Sequence, residues 1–147
     1  RDRAALAPAM TLHSRVSNVR HVRPGYRVGY GGTFLATRRG RVATVPIGYA
    51  DGVARRLGTL PDRPGADVLI GGRRCPIVGV VTMDQLVVDV GDADVSIGDE
   101  VVLIGEQGAH RIRAEDWAAR LGTIGYEVVC GIGPRVPRRT GRSIGSW

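Results

Sequence analysis

Residues 25–34 read GYRVGYGGTF. Tyr26 and Tyr30 stand four residues apart, with Tyr30 set between Gly29 and Gly31, in a chain that has only four tyrosines and one phenylalanine. A phenol donates a hydrogen bond and, once ionised, accepts a proton. Its free pKa is ~10, so it serves as a base at neutral pH only where a nearby cation favours the phenolate. Its oxygen must also come within ~3 Å of the proton it moves. Glycines on both sides would let the backbone approach a crowded ligand without side-chain obstruction.

The basic residues carry a second chemical message. All 21 are arginine and none is lysine. Arginine stays protonated in proteins, so it cannot condense with an aldehyde. Any Schiff-base chemistry therefore needs a lysine from another polypeptide or another segment. The three histidines, His13, His21 and His110, are isolated and read as surface or strand residues. Asp89, Asp92, Asp94 and Asp99 cluster at a turn without the ligand spacing and closing Glu of a calcium loop. No metal site is expected.

Four segments are more particular than the rest: VGYGGTF at 28–34, VPIGYADGVARRL at 45–57, PIVGVVTMDQLVVDV at 76–90 and GTIGYEVVCGIGPRVPR at 122–138. Taken singly, each also reads as plain construction. A strand tyrosine can be a half-buried packing residue. Asp51-Gly52 is a hairpin signal. Met83 can be a core methionine before a strand-end Asp84.

The elements that must position these residues are mostly strands. Short runs rich in Val and Ile recur at Thr11–Val22, Val42–Ile47, Val68–Ile70, Pro76–Val81, Gln85–Val90, Glu100–Ile104, Tyr126–Cys130 and Arg135–Arg138, bounded by Gly, Pro and Asp. Regular short strands with polar turns point to a mainly β fold, a small β-barrel. One short helix is expected over 113–122, where Ala114, Trp117, Ala118 and Leu121 share a face, Glu115 and Asp116 open the first turn and Gly122 follows the end. Residues 1–9 read as a linker, 10–138 as the β-domain and 139–147 as a frayed tail.

Composition bounds the rest. At 147 residues the chain has the size of one domain. No run approaches the ~20 apolar residues of a membrane span, and no secretion signal is visible. Cys75 and Cys130 lack metal-type spacing and read as two buried free thiols in a reducing cytoplasm.

In order and spacing, the four segments resemble the C-terminal β-domain of the alanine racemase family, over about Pro8 to Arg138. The family pattern runs VSYG, PIGYADG, GRxCMDQ, TINYE and RVPR. Here it is matched by Val28 to Gly31, Pro46 to Gly52, Gly79 to Gln85, Thr123 to Glu127 and Arg135 to Arg138. The resemblance implies a pyridoxal-phosphate enzyme interconverting L- and D-alanine for peptidoglycan. Its cofactor is held by a lysine on an N-terminal (β/α)8 barrel absent from this chain. It implies a homodimer, in which one subunit's β-domain meets the barrel of the other. Tyr30 would be the catalytic tyrosine, opposite the barrel's lysine. Tyr49 would narrow the entrance, and the Met83 backbone amide would contact the substrate carboxylate. Tyr126 would contact the cofactor phosphate, and Arg55, Asp84 and Ile124 would line the corridor. Three positions depart from the pattern: Gly29 for serine, Val80 for arginine and Gly125 for asparagine.

Two other classes compete. A net charge of +7 made only of arginine would suit a nucleic-acid-binding barrel of the OB type. Such a barrel needs several exposed aromatics on one sheet face, and steep loss of affinity with salt would reveal it. A non-catalytic dimerisation module is the third reading. The racemase reading involves neither nucleic acid nor a membrane.

Overall fold

The computed structural model describes residues 7–140. Residues 1–6 of the expected linker and 141–147 of the expected tail lie outside that range. The strands are β1 (Leu12–Arg15), β2 (Asn18–Val22), β3 (Arg27–Val28), β4 (Phe34–Leu35) and β5 (Gly40–Val45), then β6 (Asp67–Ile70), β7 (Arg73–Pro76), β8 (Leu86–Gly91), β9 (Glu100–Gln107) and β10 (His110–Ile112). Two helices follow, α1 (Ala114–Leu121) and α2 (Gly125–Cys130), and three single 3-10 turns lie at Tyr30–Gly32, Tyr49–Asp51 and Arg55–Leu57.

The strands form three antiparallel sheets. One has the order β1-β9-β6-β7, with β10 also paired to β9; the second is β2-β5-β8; the third is the short pair β3-β4. The run expected as one strand over Thr11–Val22 is in fact two. Val16 N donates to Asp99 O (2.9 Å) and Ser17 N to Thr44 O (2.9 Å), so the chain crosses from the first sheet to the second at that corner. At the far side the first and second sheets touch through a single bridge, Ile77 to Val88. The sheets do not close into a continuous ring, because β7 stops at Pro76 and Gly79 turns the backbone away at φ +73°. The mainly β reading holds, and "barrel" describes the shape only loosely.

Strand alternation builds two cores. On β8, Leu86, Val88 and Val90 enter the large cluster with Val101 to Ile104 of β9 and Val68 to Ile70 of β6. Val87, on the opposite face, joins a satellite cluster with Val22, Val28, Ala36, Val42 and Val78. This is the period-two pattern of a strand covered on both sides.

Helix α1 forms where its apolar stripe predicts. Arg113 N donates to Asp116 Oδ2 (2.7 Å) at its start, and Gly122 ends it in the left-handed region. Trp117 and Ala118 are buried on the large core, with Ala114 and Leu121 packed against it. Helix α2 corrects the strand expected at Tyr126–Cys130. Its β-branched pair Val128-Val129 favours strand, but α2 packs against α1 and only Val128 is buried, which overrides a weak propensity. The strand expected at Arg135–Arg138 is a loop. Pro134 and Pro137 have no N–H to give a ladder, and Arg138 donates instead to Ile132 O at 2.7 Å and Gly133 O at 3.1 Å.

The cysteines also differ from expectation. Cys75 is buried, whereas Cys130, at the outer end of α2, is exposed. Burial pushes the Cys75 thiol pKa up, against an opposing pull from Arg73. A disulfide-type thiol reagent is expected to titrate Cys130 alone in the folded chain and both thiols after unfolding in urea. Two fast-reacting thiols in the folded state would contradict the burial of Cys75.

His13, His21 and His110 lie on β1, β2 and β10. His13 Nδ1 pairs with Glu100 Oε1 at 3.1 Å. No helix is long and apolar enough to cross a membrane, and no group of three or more metal-type ligands gathers among the described residues.

Candidate active site

Strands β3 and β4 are two residues each, and what joins them is the 3-10 turn that carries Tyr30. Gly29 enters that turn at φ +81° and Gly31 sits inside it at φ +73°. Both angles belong to the left-handed region that favours glycine. The serine of the family pattern would be strained at position 29, so glycine suits the turn seen here. Arg27 Nη1 donates to Gly32 O (3.0 Å) and ties the turn to β3. Tyr30 ends up 80% exposed. Its neighbour Tyr26 is employed differently, with the Arg20 guanidinium carbon 6.0 Å from its ring centre.

The Tyr30 turn leans on the loop after β7. A Cβ built on Gly29 would lie 3.5 Å from Gly79 Cα and 3.8 Å from Val80 N. That loop runs on to Met83 and Asp84. Val80 is buried beneath it, so the position where the family pattern has arginine presents no charge to the surface.

The second motif locks onto the same loop. Tyr49 N donates to Thr82 O (2.9 Å) and Ala50 N to Met83 O (3.0 Å). Gly48 makes the approach this close: a Cβ there would lie 2.2 Å from Thr82 O and 2.5 Å from Met83 O. Tyr49 and Met83 are both about half exposed, at 45% and 52%. Arg55 follows on the exposed start of the next 3-10 turn.

The fourth motif closes the arrangement. Gly133 N donates to Asp51 O (2.9 Å), and a Cβ on Gly52 would meet Gly131 O at 2.4 Å. Ile124 caps α2, and Tyr126 sits in its first turn, 78% exposed. A Cβ on Gly125 would reach 3.1 Å from Glu115 Oε1, so glycine lets α2 lie close to α1 where asparagine would push that flexible side chain aside.

Sequence reasoning missed the charged network beneath this surface. Asp51, read as a turn residue, is a buried carboxylate. Its Oδ2 accepts from Gly48 N (2.8 Å) and its Oδ1 pairs with Arg135 Nε (3.1 Å). The same guanidinium reaches Asp84 Oδ1 through its Nη2 at 2.7 Å. The hydrogen bond to Asp84 and then the charge of Asp51 push the Arg135 pKa above its already high ordinary value. The signal was present in the YADG and RVPR motifs, but their joining across the fold was not readable from spacing.

The structure thus brings Tyr30, Tyr49, Met83 and Asp84 onto adjoining loops, with Ile124 and Tyr126 exposed on the neighbouring helix. The hydroxyls and apolar side chains lie open. Such a surface can supply phenol donors.

Comparison with known proteins agrees. The family described as "Alanine racemase, C-terminal domain" matches residues 9–140. Alanine racemase of Symbiobacterium thermophilum is 53% identical over 134 residues, covering 90% of this chain and 34% of that protein. Alanine racemase of Halothermothrix orenii is 46% identical over 141 residues, covering 95% of this chain and 36% of that one. Among solved structures, alanine racemase from Bacillus anthracis with bound L-Ala-P shares the fold with a TM-score of 0.85 at 42% identity, over 94% of this chain and 34% of that one. Alanine racemase from E. faecalis gives 0.84 at 40% identity, over 91% and 34%. The chain therefore spans roughly a third of the length of the curated relatives it matches. With the match running across nearly all of it, this chain belongs to the alanine racemase C-terminal domain family.

Proposed function

We propose that this chain is the β-domain of a pyridoxal-phosphate-dependent alanine racemase, which interconverts L- and D-alanine in the cytoplasm and supplies D-alanine for peptidoglycan. Residues 1–9 would lead from an N-terminal (β/α)8 barrel, 10–138 would be the β-domain and 139–147 a tail. The observation that carries this reading is the exposure of Tyr30 on its glycine turn, together with the open side chains of Tyr49 and Met83. Side chains of this kind, left in solvent, suit a surface completed by another domain.

The donor set fits one half of a cofactor site. The Tyr126 phenol is free to donate to a phosphate. The chain has no lysine, so the covalent attachment belongs to the barrel domain. When bound, pyridoxal phosphate makes the substrate Cα–H acidic by drawing its electrons into the pyridine ring.

Everything else in the mechanism on this side is done by side chains and backbone of the chain itself. Tyr30 gives or takes the proton on one face of the substrate Cα. A single group would return the proton to the face it came from, so the opposite face needs the barrel's own base. The backbone N–H of Met83 would hold the substrate carboxylate, and Tyr49 would limit side-chain size at the entrance. Arg55, Asp84 and Ile124 would line the approach. In a homodimer the Tyr30 of one subunit would serve the barrel of the other.

The test has two arms. Alone with pyridoxal phosphate and L-alanine, this chain should show neither the visible absorption of a lysine-bound cofactor nor D-alanine formation. Joined to its barrel domain, it should produce D-alanine. Racemisation by the chain alone would overturn the division of labour.

A further inference from the structure

Arg135 ties together the two loops presenting Tyr49 and Met83. Its Nε pairs with the buried Asp51 Oδ1 (3.1 Å), and its Nη2 pairs with Asp84 Oδ1 (2.7 Å). Asp51 is also the carboxylate that accepts from Gly48 N (2.8 Å), so it sets the conformation of the 3-10 turn carrying Tyr49. Asp84 immediately follows Met83, is itself largely exposed and is anchored by this guanidinium. The two loops already share the backbone bonds Tyr49 N to Thr82 O and Ala50 N to Met83 O. Those bonds set the height of one loop against the other. They engage the Thr82 and Met83 carbonyls, and the Arg135–Asp84 contact adds a side-chain tie at the following residue.

The geometry suits arginine in particular. Two different edges of one planar guanidinium meet two carboxylates in separate loops. An ammonium is a point charge on a flexible stem and lacks the planar fork that fixes both directions. The Arg135–Asp84 pair is exposed on both sides, and exposed ion pairs contribute little stability. Stability is therefore a poor reason for that arm of the network, whereas fixing an orientation is a good one.

We propose that Arg135 is a positioning residue: by bridging Asp51 and Asp84 it holds the Tyr49 turn against the Met83 loop, in the arrangement in which the Met83 N–H receives the substrate carboxylate. This rests on the substrate-facing role given to those loops above. The prediction concerns binding of substrate and leaves the Tyr30 proton transfer intact.

The experiment uses the two-domain holoenzyme and steady-state racemisation. Arg135→Lys keeps a cation beside the buried Asp51, so the fold survives, but it loses the bridge. KM for alanine should rise about tenfold while kcat stays within about twofold. Arg135→Met should raise KM at least as far. Combining Arg135→Lys with Asp84→Asn should add little to Arg135→Lys alone, because both break one contact. Unchanged KM in both Arg135 variants, with or without a drop in melting temperature, would overturn the proposal. So would a fall in kcat at constant KM, which would place Arg135 in the chemical step. Tyr30→Phe is measured alongside: if that variant keeps full turnover, the racemase reading fails whatever Arg135 does. If it loses turnover while the Arg135 variants keep their KM, only the positioning role fails.

Discussion

Replacing Tyr30 with phenylalanine in the two-domain protein is expected to lower kcat about a thousandfold, within the range typical of losing a proton-transfer group. The change removes a single oxygen. The ring is 80% exposed, so no core contact depends on that oxygen. The turn beneath it is set by backbone angles at Gly29 and Gly31 and by the bond from Arg27 to Gly32 O, none of which involves the hydroxyl. Thermal unfolding should therefore match that of the parent protein. Under the proposed function the cofactor is attached on the barrel domain, so it should stay bound, and its visible absorption provides the check. A variant with full turnover would remove Tyr30 from the mechanism. A variant that lost both cofactor and activity would point instead to a structural part in holding the domains together.

Gly48→Ala is expected to destabilise the domain by about 3 kcal/mol. Gly48 has ordinary extended angles, φ −149° and ψ −160°, so its backbone alone would accept alanine. The obstacle is what lies opposite. An added Cβ would sit 2.2 Å from Thr82 O and 2.5 Å from Met83 O, and both are backbone atoms that cannot rotate aside. The bonds from Tyr49 N and Ala50 N to those same oxygens would have to lengthen. The midpoint of urea unfolding should fall accordingly, with the slope unchanged. Activity in the two-domain protein should fall too, because the Tyr49 turn and Met83 would part. A loss under about 0.5 kcal/mol, ordinary for an unconstrained surface site, would mean the loops are not clamped there.

Much of the fold could be read from residues before any geometry. The apolar run at Gln85–Val90 announced a strand, and the stripe Ala114-Trp117-Ala118-Leu121 announced α1. Failures occurred where long-range packing outweighed local preference. The YEVVC run at 126–130 has strand-forming residues, but its neighbour α1 offered a surface that rewarded a helix. The run at 135–138 has strand-like valine, but two prolines and the self-capping Arg138 end any ladder. For the site, the exposed Tyr30 was legible because glycines flank it in a chain poor in aromatics. The Asp51–Arg135–Asp84 bridge was not, because Arg135 lies 84 residues from Asp51 and 51 from Asp84 along the chain, and nothing in spacing says which arginine of 21 closes it.

The satellite cluster has a further implication. Val28, on the hairpin that carries Tyr30, is one of six buried residues in a cluster separate from the large core, and Phe34 packs against that cluster. Local opening of that hairpin need disturb only this small group, so it can proceed well below the free energy of global unfolding. A hairpin seated in this way can adjust its position in small steps while the remaining scaffold keeps its native packing.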